Sequence, residues 1–364
     1  MKIILVGGGT AGSVSPLLAV REYMSGKYPD AQFVFVGSMT GVEQIMAQSV
    51  NVPYYAIPGA KWRRYASWKN ILTPFVVALA FFVSLSALRK LRPAVVFGAG
   101  SFLQVPFMWA AWLMHVPVVI HQQDVIPSLS NTLCAPIAKK ITVTFESSVK
   151  HFFQSATLSS LERANKIVWT GNPTQIHHKQ VSREQAIKRF NLDNTLPTLL
   201  VLGGGTGAAF INSLIWSVLA ELTVVVNVIH SAGPGKDVKK MAAHYYAAEF
   251  ISDMPEAYAA SDIVVSRAGL ATITELSALA KLAIIIPLPD SHQLANAVLL
   301  DAHSAALVFP QKDVTGPGLI HVIRKLLFQK NLQDELPKNL ARIMPHDAAE
   351  KVGTILAEVC RAKK

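Results

Sequence analysis

The chain has 364 residues, 51% apolar and 16% charged, with 34 Lys and Arg against 23 Asp and Glu. That length points to two or three domains, and the composition excludes disorder as the main state. The net charge of +11 favours an anionic partner: phosphate, nucleic acid or an acidic membrane. Two cysteines, Cys134 and Cys360, exclude a disulfide scaffold and a four-cysteine zinc site.

In chain order, the opening apolar run is too short for a secretion signal and meets glycines instead of a cleavage region. It reads as a buried strand, Ile3–Val6. Export is therefore not expected, and a reducing cytosol suits the low cysteine count. Further strands are predicted at Gln32–Val36, Ala94–Phe97, Val116–Ile120, Lys140–Val143 and Ile167–Thr170. A second set follows at Thr198–Val201, Thr223–Ile229, Ala248–Ile251, Ile263–Ser266, Ala283–Ile285 and Ala306–Phe309. Continuous Val/Ile runs, as opposed to alternating ones, predict parallel strands covered on both faces. Helices are predicted between them, among them Pro16–Tyr28, Ala208–Leu222 and Ala271–Lys281. The fold class is α/β, with two Rossmann-like, doubly wound parallel sheets facing a cleft. The boundary falls after Gly171-Asn172-Pro173. One domain spans 1–172 and regains a C-terminal helix at about 345–364; the other spans 173–344.

The basic excess is concentrated. No acid lies between Glu43 and Asp124, whereas Lys61, Arg63, Arg64, Lys69, Arg89, Lys90 and Arg92 all do. Between the basic clusters runs the apolar segment Ile71–Leu88. As a helix it is about 27 Å long, marginal for a bilayer core of about 30 Å. Three readings stand: a membrane span, a helix buried under the sheet, or a helix that packs on the sheet and also offers apolar side chains to lipid. Trp62, Tyr65 and Trp68 beside the basic cluster favour the third, since Trp and Tyr prefer the membrane interface. The partner expected at 61–92 is an anionic membrane surface. Nucleic acid is not expected, because the basic cluster adjoins an apolar run and not a solvated stripe.

Each half opens with strand, glycine loop, helix: Gly7-Gly8-Gly9-Thr10-Ala11-Gly12 and Gly203-Gly204-Gly205-Thr206-Gly207-Ala208. Glycines let backbone N–H groups approach a phosphate at a positive helix N-terminus. The first loop matches the dinucleotide fingerprint formally, but its second strand ends Phe35-Val36-Gly37-Ser38, without the acid a ribose needs. Glu43 comes too late for that role. Neither loop continues to Gly-Lys-Ser/Thr, which excludes a P-loop NTPase.

Ser266–Glu275 is the most informative string. A strand ends at a glycine turn and a helix begins near Leu270–Thr272, where N–H groups and the Thr272 hydroxyl could take a diphosphate. Glu275, one turn on, could accept hydrogen bonds from a ribose diol. The bland alternative is a capping box between Thr272 and Glu275. Gln293 and Asn296 can share one helical face after the loop Pro287–His292. In the first half, His121 and Asp124 follow a strand and could supply acid–base chemistry, although a lone strand-end His is more often structural. His177-His178 lacks a third ligand, so no metal site is proposed, and no cofactor.

Taken in order along nearly the whole chain, these strings resemble the MurG family of glycosyltransferases. The matching segments are Gly8-Gly9-Thr10-Ala11-Gly12 with Val14-Ser15-Pro16, Phe97–Phe102, His121–Asp124 with Ser130-Asn131, Gly171-Asn172-Pro173, Leu202–Ala208, Phe250–Met254, Ser266–Glu275 and His292–Ala297. The resemblance implies a GT-B fold and inverting transfer of GlcNAc from UDP-GlcNAc to undecaprenyl-diphosphate-MurNAc-pentapeptide, in peptidoglycan synthesis. It also implies a peripheral location on the cytoplasmic face of the membrane. The donor set it implies is Thr10, Ala11, Gly12, Asp124, Gln175, Gly205, Ile251, Leu270, Ala271, Thr272, Ile273, Thr274, Glu275 and Gln293. Within it, Ile251 is expected on uracil, Leu270–Thr272 on the diphosphate, Glu275 on the ribose and Gln293 on the sugar. Gly9, Thr10, Gly100 and Ser101 are expected to face the acceptor's diphosphate.

The chain departs from the family pattern at several of these points. Ser13 stands where the family has His, Gln122 where it has Glu, Asp124 where it has Asn, Gln175 where it has Arg, and Gly205-Thr206 where it has Ser-Gln. Ser cannot replace His as a base, so Asp124 or His121 is expected to take the acceptor's proton. Two rivals follow from these changes: a GT-B enzyme with another donor or glycolipid acceptor, and a silent nucleotide-sugar-binding relative.

Overall fold

The structure, a computed structural model, describes residues 1–59, 69–155, 166–176, 181–204, 207–236 and 242–362. Two compact units emerge: Met1–Thr174 with Met344–Lys364, and Gln175–Ile343. Several residues singled out above lie outside the described residues: Lys61 to Trp68 of the basic cluster, His177-His178, and Gly205 with Thr206.

The first unit is built on seven strands: β1 (Lys2–Val6), β2 (Gln32–Gly37), β3 (Tyr54–Ala56), β4 (Val95–Gly98), β5 (Val118–Gln122), β6 (Lys140–Val143) and β7 (Ile167–Trp169). They form one sheet in the order β3-β2-β1-β4-β5-β6-β7, parallel at every pairing. β4 and β5 are buried along their whole length, as continuous apolar strands under helices on both faces must be. Ile3, Leu5, Val95 and Val119 face one core with the last helix, Ala348–Arg361. Ile4, Val6, Val96 and Ile120 face another with Leu103 and Phe107. Each such side chain contributes about 1.5–3 kcal/mol of transfer free energy.

The last helix is part of this unit, packed on helix Ala11–Lys27. Its Val352, Leu356 and Val359 enter the core, and Tyr23 donates a 2.9 Å hydrogen bond to Glu350.

The second unit carries β8 (Thr198–Leu202), β9 (Asn227–Ser231), β10 (Tyr245–Ala248), β11 (Ile263–Ser266), β12 (Leu282–Ile285) and β13 (Leu307–Val308). Their order is β10-β9-β8-β11-β12-β13, again parallel throughout. Each sheet reverses its strand order once, between β1 and β4 and between β8 and β11. Ligands of doubly wound folds bind at the carboxyl ends of strands at such points. Register brings the relevant turns together: Val6 pairs with Gly98 and Leu202 with Ser266.

Three expectations need correction. Thr223–Val226 is not strand; Val224 is 77% exposed, and the strand begins at Asn227. The strand expected at Ala248–Ile251 runs Tyr245–Ala248 instead, leaving Ile251 in the following loop. The helix expected at Ala208–Leu222 breaks at Val218 into Ala209–Ser217 and Leu219–Leu222. β3 was not anticipated: three residues on a sheet edge give too little pattern to read.

Helix Lys69–Leu91 contains a window long and apolar enough to cross a membrane. The strand after it, β4, pairs with β1 in the same sheet as β2 and β3 before it, which rules out a span. Nor is the helix simply buried. Ala80, Ser84, Ala87 and Leu88 pack inward, while Phe75, Leu79 and Phe82 are 73%, 55% and 65% exposed. The exposed three stand at i, i+4 and i+7, one stripe of the helix, and the stripe ends near Arg89 and Lys90, both exposed.

Candidate active site

In the second unit the turn between β11 and helix Leu270–Ala278 is braced from two sides. The Arg267 guanidinium donates to the carbonyls of Ile286 and Pro287, each at 3.1 Å, and to Gln311 Oε1 at 2.7 Å. Buried Asn296 donates its amide to Ala268 O at 3.2 Å. The N-cap is Gly269, in extended conformation. Having no side chain, it cannot cap the first N–H groups, which a Ser or Asp there would occupy. The helix thus opens with an N-terminal turn suited to an anion.

This geometry sorts the residues expected there. Ala271 and Thr272 are half-buried in the opening turn. Thr272 lies inside the helix and not at its cap, so the capping-box alternative fails. Ile273 does not point to a ligand: its side chain is buried and its N–H donates to Gly269 O at 3.0 Å. Thr274 is likewise turned inward, its hydroxyl donating to Leu270 O at 2.8 Å. Leu270 is buried. Glu275 accepts a 2.7 Å hydrogen bond from the Tyr258 hydroxyl. Burial raises the Glu275 carboxyl above its ordinary pKa, and the Tyr258 hydrogen bond opposes that rise. Ile251 is buried beside exposed Phe250.

Gln293 and Asn296 share a helix but divide their tasks. Asn296 is wholly buried, whereas Gln293 is half-buried and accepts from Leu288 N at 3.1 Å. Gln175 is exposed. The glycine loop after β8 is described only at its ends. Gly207 has φ +73°, and a Cβ there would lie 2.2 Å from Ala232 O, so only glycine fits. A buried network holds that junction: Asn212 donates to Ala232 O at 2.8 Å and its Oδ1 lies 3.0 Å from His230 Nε2.

In the first unit, Gly9 (φ +92°), Thr10 and Ala11 are exposed and Gly12 half-buried, at the start of helix Ala11–Lys27. Beneath them lies Glu43, fully buried. Its carboxylate accepts from Gly9 N at 3.4 Å and Ser38 N at 2.9 Å, and from the Ser38 hydroxyl. Nothing in the sequence assigned Glu43 this place; the only signal was an acid one turn after a glycine loop's neighbouring strand. Ser13 ties the loop to itself, donating to the carbonyls of Gly8 and Thr10 at 3.1 and 3.0 Å.

Gly100 (φ +91°) donates its N–H to Gln104 Oε1 at 2.9 Å and its carbonyl accepts from Ser130 at 2.6 Å. Ser101 is buried, its Oγ accepting from Leu103 N. Neither offers these groups to a ligand in this arrangement.

The two base candidates differ sharply. His121 is wholly buried. Its Nδ1 lies 2.9 Å from Thr142 Oγ1 and its Nε2 3.0 Å from Asn172 Oδ1, and burial lowers its pKa to about 4. Both nitrogens are spent inside the protein, so His121 positions β5, β6 and the Asn172 segment and does not reach substrate. Asp124 is half-buried in the loop after β5. Gln122 clamps that loop, donating to the carbonyls of Asp124 and Ile126 at 2.8 and 2.9 Å. A carboxylate could not make those two donations, which gives the Gln at this position a physical role.

Two doubly wound parallel-sheet units, each with a glycine loop at its switch point, are the architecture of the GT-B fold. Residues 3–143 match the N-terminal domain and residues 198–352 the C-terminal domain of glycosyltransferase family 28. The chain belongs to the family of UDP-N-acetylglucosamine–N-acetylmuramyl-(pentapeptide) pyrophosphoryl-undecaprenol N-acetylglucosamine transferases, the MurG family. A relative so named from Lachnospira eligens is 32% identical over 98% of this chain and 99% of its own. Another from Clostridium kluyveri is 34% identical over 91% and 92%. Among solved structures, Acinetobacter baumannii MurG superposes with a TM-score of 0.73 at 24% identity, covering 98% and 99% of the two chains. A UDP-GlcNAc 2-epimerase from Neisseria meningitidis, bound to UDP-GlcNAc, gives 0.70 at 14% identity over 98% and 100%; at that identity it speaks for the fold alone.

Proposed function

We infer that this chain transfers GlcNAc from UDP-GlcNAc to undecaprenyl-diphosphate-MurNAc-pentapeptide. The observation that carries the reading is the Gly269-opened helix at the second unit's switch point, with Glu275 one turn in, in a chain that matches transferases of that name end to end. UDP sits on the second unit: the diphosphate at Ala271 and Thr272, the ribose at Glu275, uracil at Ile251 and the sugar at Gln293. The acceptor's diphosphate meets the exposed Gly9-Thr10 turn of the first unit.

The acceptor's 4-hydroxyl oxygen attacks the anomeric carbon as the bond from that carbon to the UDP oxygen breaks, inverting the centre. The developing charge on the leaving diphosphate is stabilised by the N–H groups at Leu270–Thr272. Asp124 takes the hydroxyl proton; the support is its place, half-buried, in the loop after β5 at the carboxyl edge of the first sheet. Transfer of radiolabel from UDP-GlcNAc to a short-chain lipid-linked MurNAc-pentapeptide diphosphate tests the reading. Product is expected. UDP-GlcNAc binding without product would favour the silent relative, whose support is the tied Ser13 hydroxyl.

The protein works as a peripheral protein on the cytoplasmic face of the membrane. The support is the exposed Phe75, Leu79 and Phe82 stripe ending in Arg89 and Lys90, a pairing of apolar and basic groups suited to anionic lipid. The double substitution Phe75→Ser/Phe82→Ser is expected to abolish co-sedimentation with anionic vesicles at low salt while leaving transfer to a soluble acceptor intact. Unchanged co-sedimentation would remove the stripe from the interface.

A further inference from the structure

The second unit contains a contact that joins the two elements expected to hold the nucleoside. Tyr258 lies on helix Met254–Ala260, which begins three residues after Ile251. Glu275 lies on helix Leu270–Ala278. The Tyr258 hydroxyl donates to Glu275 Oε2 at 2.7 Å. Tyr258 is 1% exposed, among the largest side chains wholly inside the protein, and its carbonyl accepts from the Ser261 hydroxyl at 3.0 Å. The ring is therefore fixed, and it fixes one carboxylate oxygen of Glu275.

We propose that Tyr258 is a positioning residue for nucleotide recognition: it holds Glu275 so that the second carboxylate oxygen meets the ribose hydroxyls of the donor. This rests on the reading of Glu275 as the ribose contact.

The physical case has three parts. An unrestrained Glu side chain samples several rotamers, and freezing them on binding costs affinity. A hydrogen bond from a fixed phenol removes that cost in advance. A carboxylate is bidentate as an acceptor, so Oε2 can be spent on Tyr258 with Oε1 left for a diol. The donor role of Tyr258 is secure, because burial and the neighbouring carboxylate push its own ionisation well above the ordinary phenol range. The hydroxyl also favours the charged, acceptor-only form of Glu275, which burial alone disfavours. Position adds a second consequence. The residue that sets the ribose contact stands one helical turn past the segment expected to carry uracil, so base and ribose contacts are aligned by one bond between neighbouring elements.

The test measures binding of UDP and of its 2′-deoxy and 3′-deoxy analogues, together with donor KM and kcat, in the whole protein and in Tyr258→Phe. The wild type is expected to prefer UDP over the deoxy analogues by roughly tenfold or more, the range of a hydrogen bond to a charged group. Tyr258→Phe keeps the ring and removes the donor. It should weaken UDP by about tenfold, leave the deoxy analogues nearly unchanged, and raise donor KM with kcat held within about twofold. A second variant, Glu275→Asp, keeps the charge but draws the carboxylate back from the phenol. It should lose the same preference, and the double variant should be no worse than either single one.

Three outcomes overturn the proposal. Tyr258→Phe folds and discriminates hydroxyls as the wild type does; or Glu275→Asp keeps full discrimination; or the two effects add. If Tyr258→Phe does not fold, 3-fluorotyrosine at position 258, which keeps the ring and strengthens the donor, takes its place, and an unchanged hydroxyl preference overturns the proposal. A wild type that binds UDP and its deoxy analogues equally sinks the ribose assignment of Glu275 and this proposal with it. Discrimination in the wild type that survives both substitutions sinks the proposal only.

Discussion

The two switch points use one backbone plan and opposite chemistry. Each places a glycine loop and a second glycine turn side by side at the carboxyl edge of a parallel sheet. In the first unit several donors are consumed, although helix Ala11–Lys27 also opens without a side-chain cap. Gly9 N–H points to buried Glu43, Gly100 N–H to Gln104, and the Ser13 hydroxyl to two carbonyls. In the second unit the turn holds a guanidinium, Arg267, and the helix opens on Gly269 with no side chain to cap it. A carboxylate under one loop and a cation in the other turn set different affinities for an anion, although the glycine strings look alike. The lesson is that a glycine motif specifies room for a phosphate, while the groups beneath it decide how strongly a phosphate is wanted.

The largest expected effect separates the units by task. Asp124→Asn should lower turnover by at least about 100-fold and leave UDP binding within about twofold, read by single-turnover transfer and by calorimetry. A parallel loss of UDP binding would break the division of labour.

Next, the comparison can be reversed in place. Gly269→Asp gives the second unit the carboxylate that the first already has. The N-cap backbone is extended and a Cβ there meets open space. The new side chain should cap the helix, raising stability by about 1 kcal/mol, and should weaken UDP by roughly 30-fold or more through occupied donors and charge repulsion. Denaturant midpoints and UDP titration read the two effects, which must move in opposite directions.

Glu43→Ala tests the other side. It leaves Ser38 N–H and Gly9 N–H without their acceptor, at a cost of about 2 kcal/mol, measured as a lower urea midpoint. If the loop then binds inorganic phosphate more tightly, the carboxylate beneath it was opposing the anion.

A last effect is one the units share. His121 and His230 each have a folded pKa near 4 because burial disfavours the charged ring. Both begin from an ordinary value of 6.5. The unfolded chain therefore binds protons that the native state refuses, so stability is full above about pH 6.5 and falls progressively toward pH 4. Urea midpoints from pH 7.5 to 4 should follow that slope, and His121→Gln with His230→Gln should flatten it.

Much of this was legible because burial leaves a mark on composition. Strands covered on both faces must be Val/Ile runs, and β6 and β11 were placed to the residue. The runs misled where an apolar string was exposed: Thr223–Val226 reads as strand, yet it is the turn that carries Val224 to solvent. The glycine loops were legible because only glycine serves there. What lay beneath them was not. Glu43 and Tyr258 act across the fold, on partners in a loop and a helix that sequence spacing does not connect. His121 shows the converse: its place at a strand end suggested chemistry, and only the three-dimensional neighbours Thr142 and Asn172 reveal that both nitrogens are committed.

The last helix gives the first unit a particular history. Its core includes Val352, Leu356 and Val359 beside Ile3, Leu5 and Val20, so residues made early on the ribosome wait for residues made much later. The second unit, contiguous in sequence, is free to fold as soon as it emerges. Until Ala348–Arg361 arrives, the face of helix Ala11–Lys27 that will receive it stays uncovered during synthesis. The nascent first unit is therefore the stage most exposed to aggregation and most in need of chaperone cover, and a fusion at the carboxyl end would bear on the assembly of the amino-terminal half.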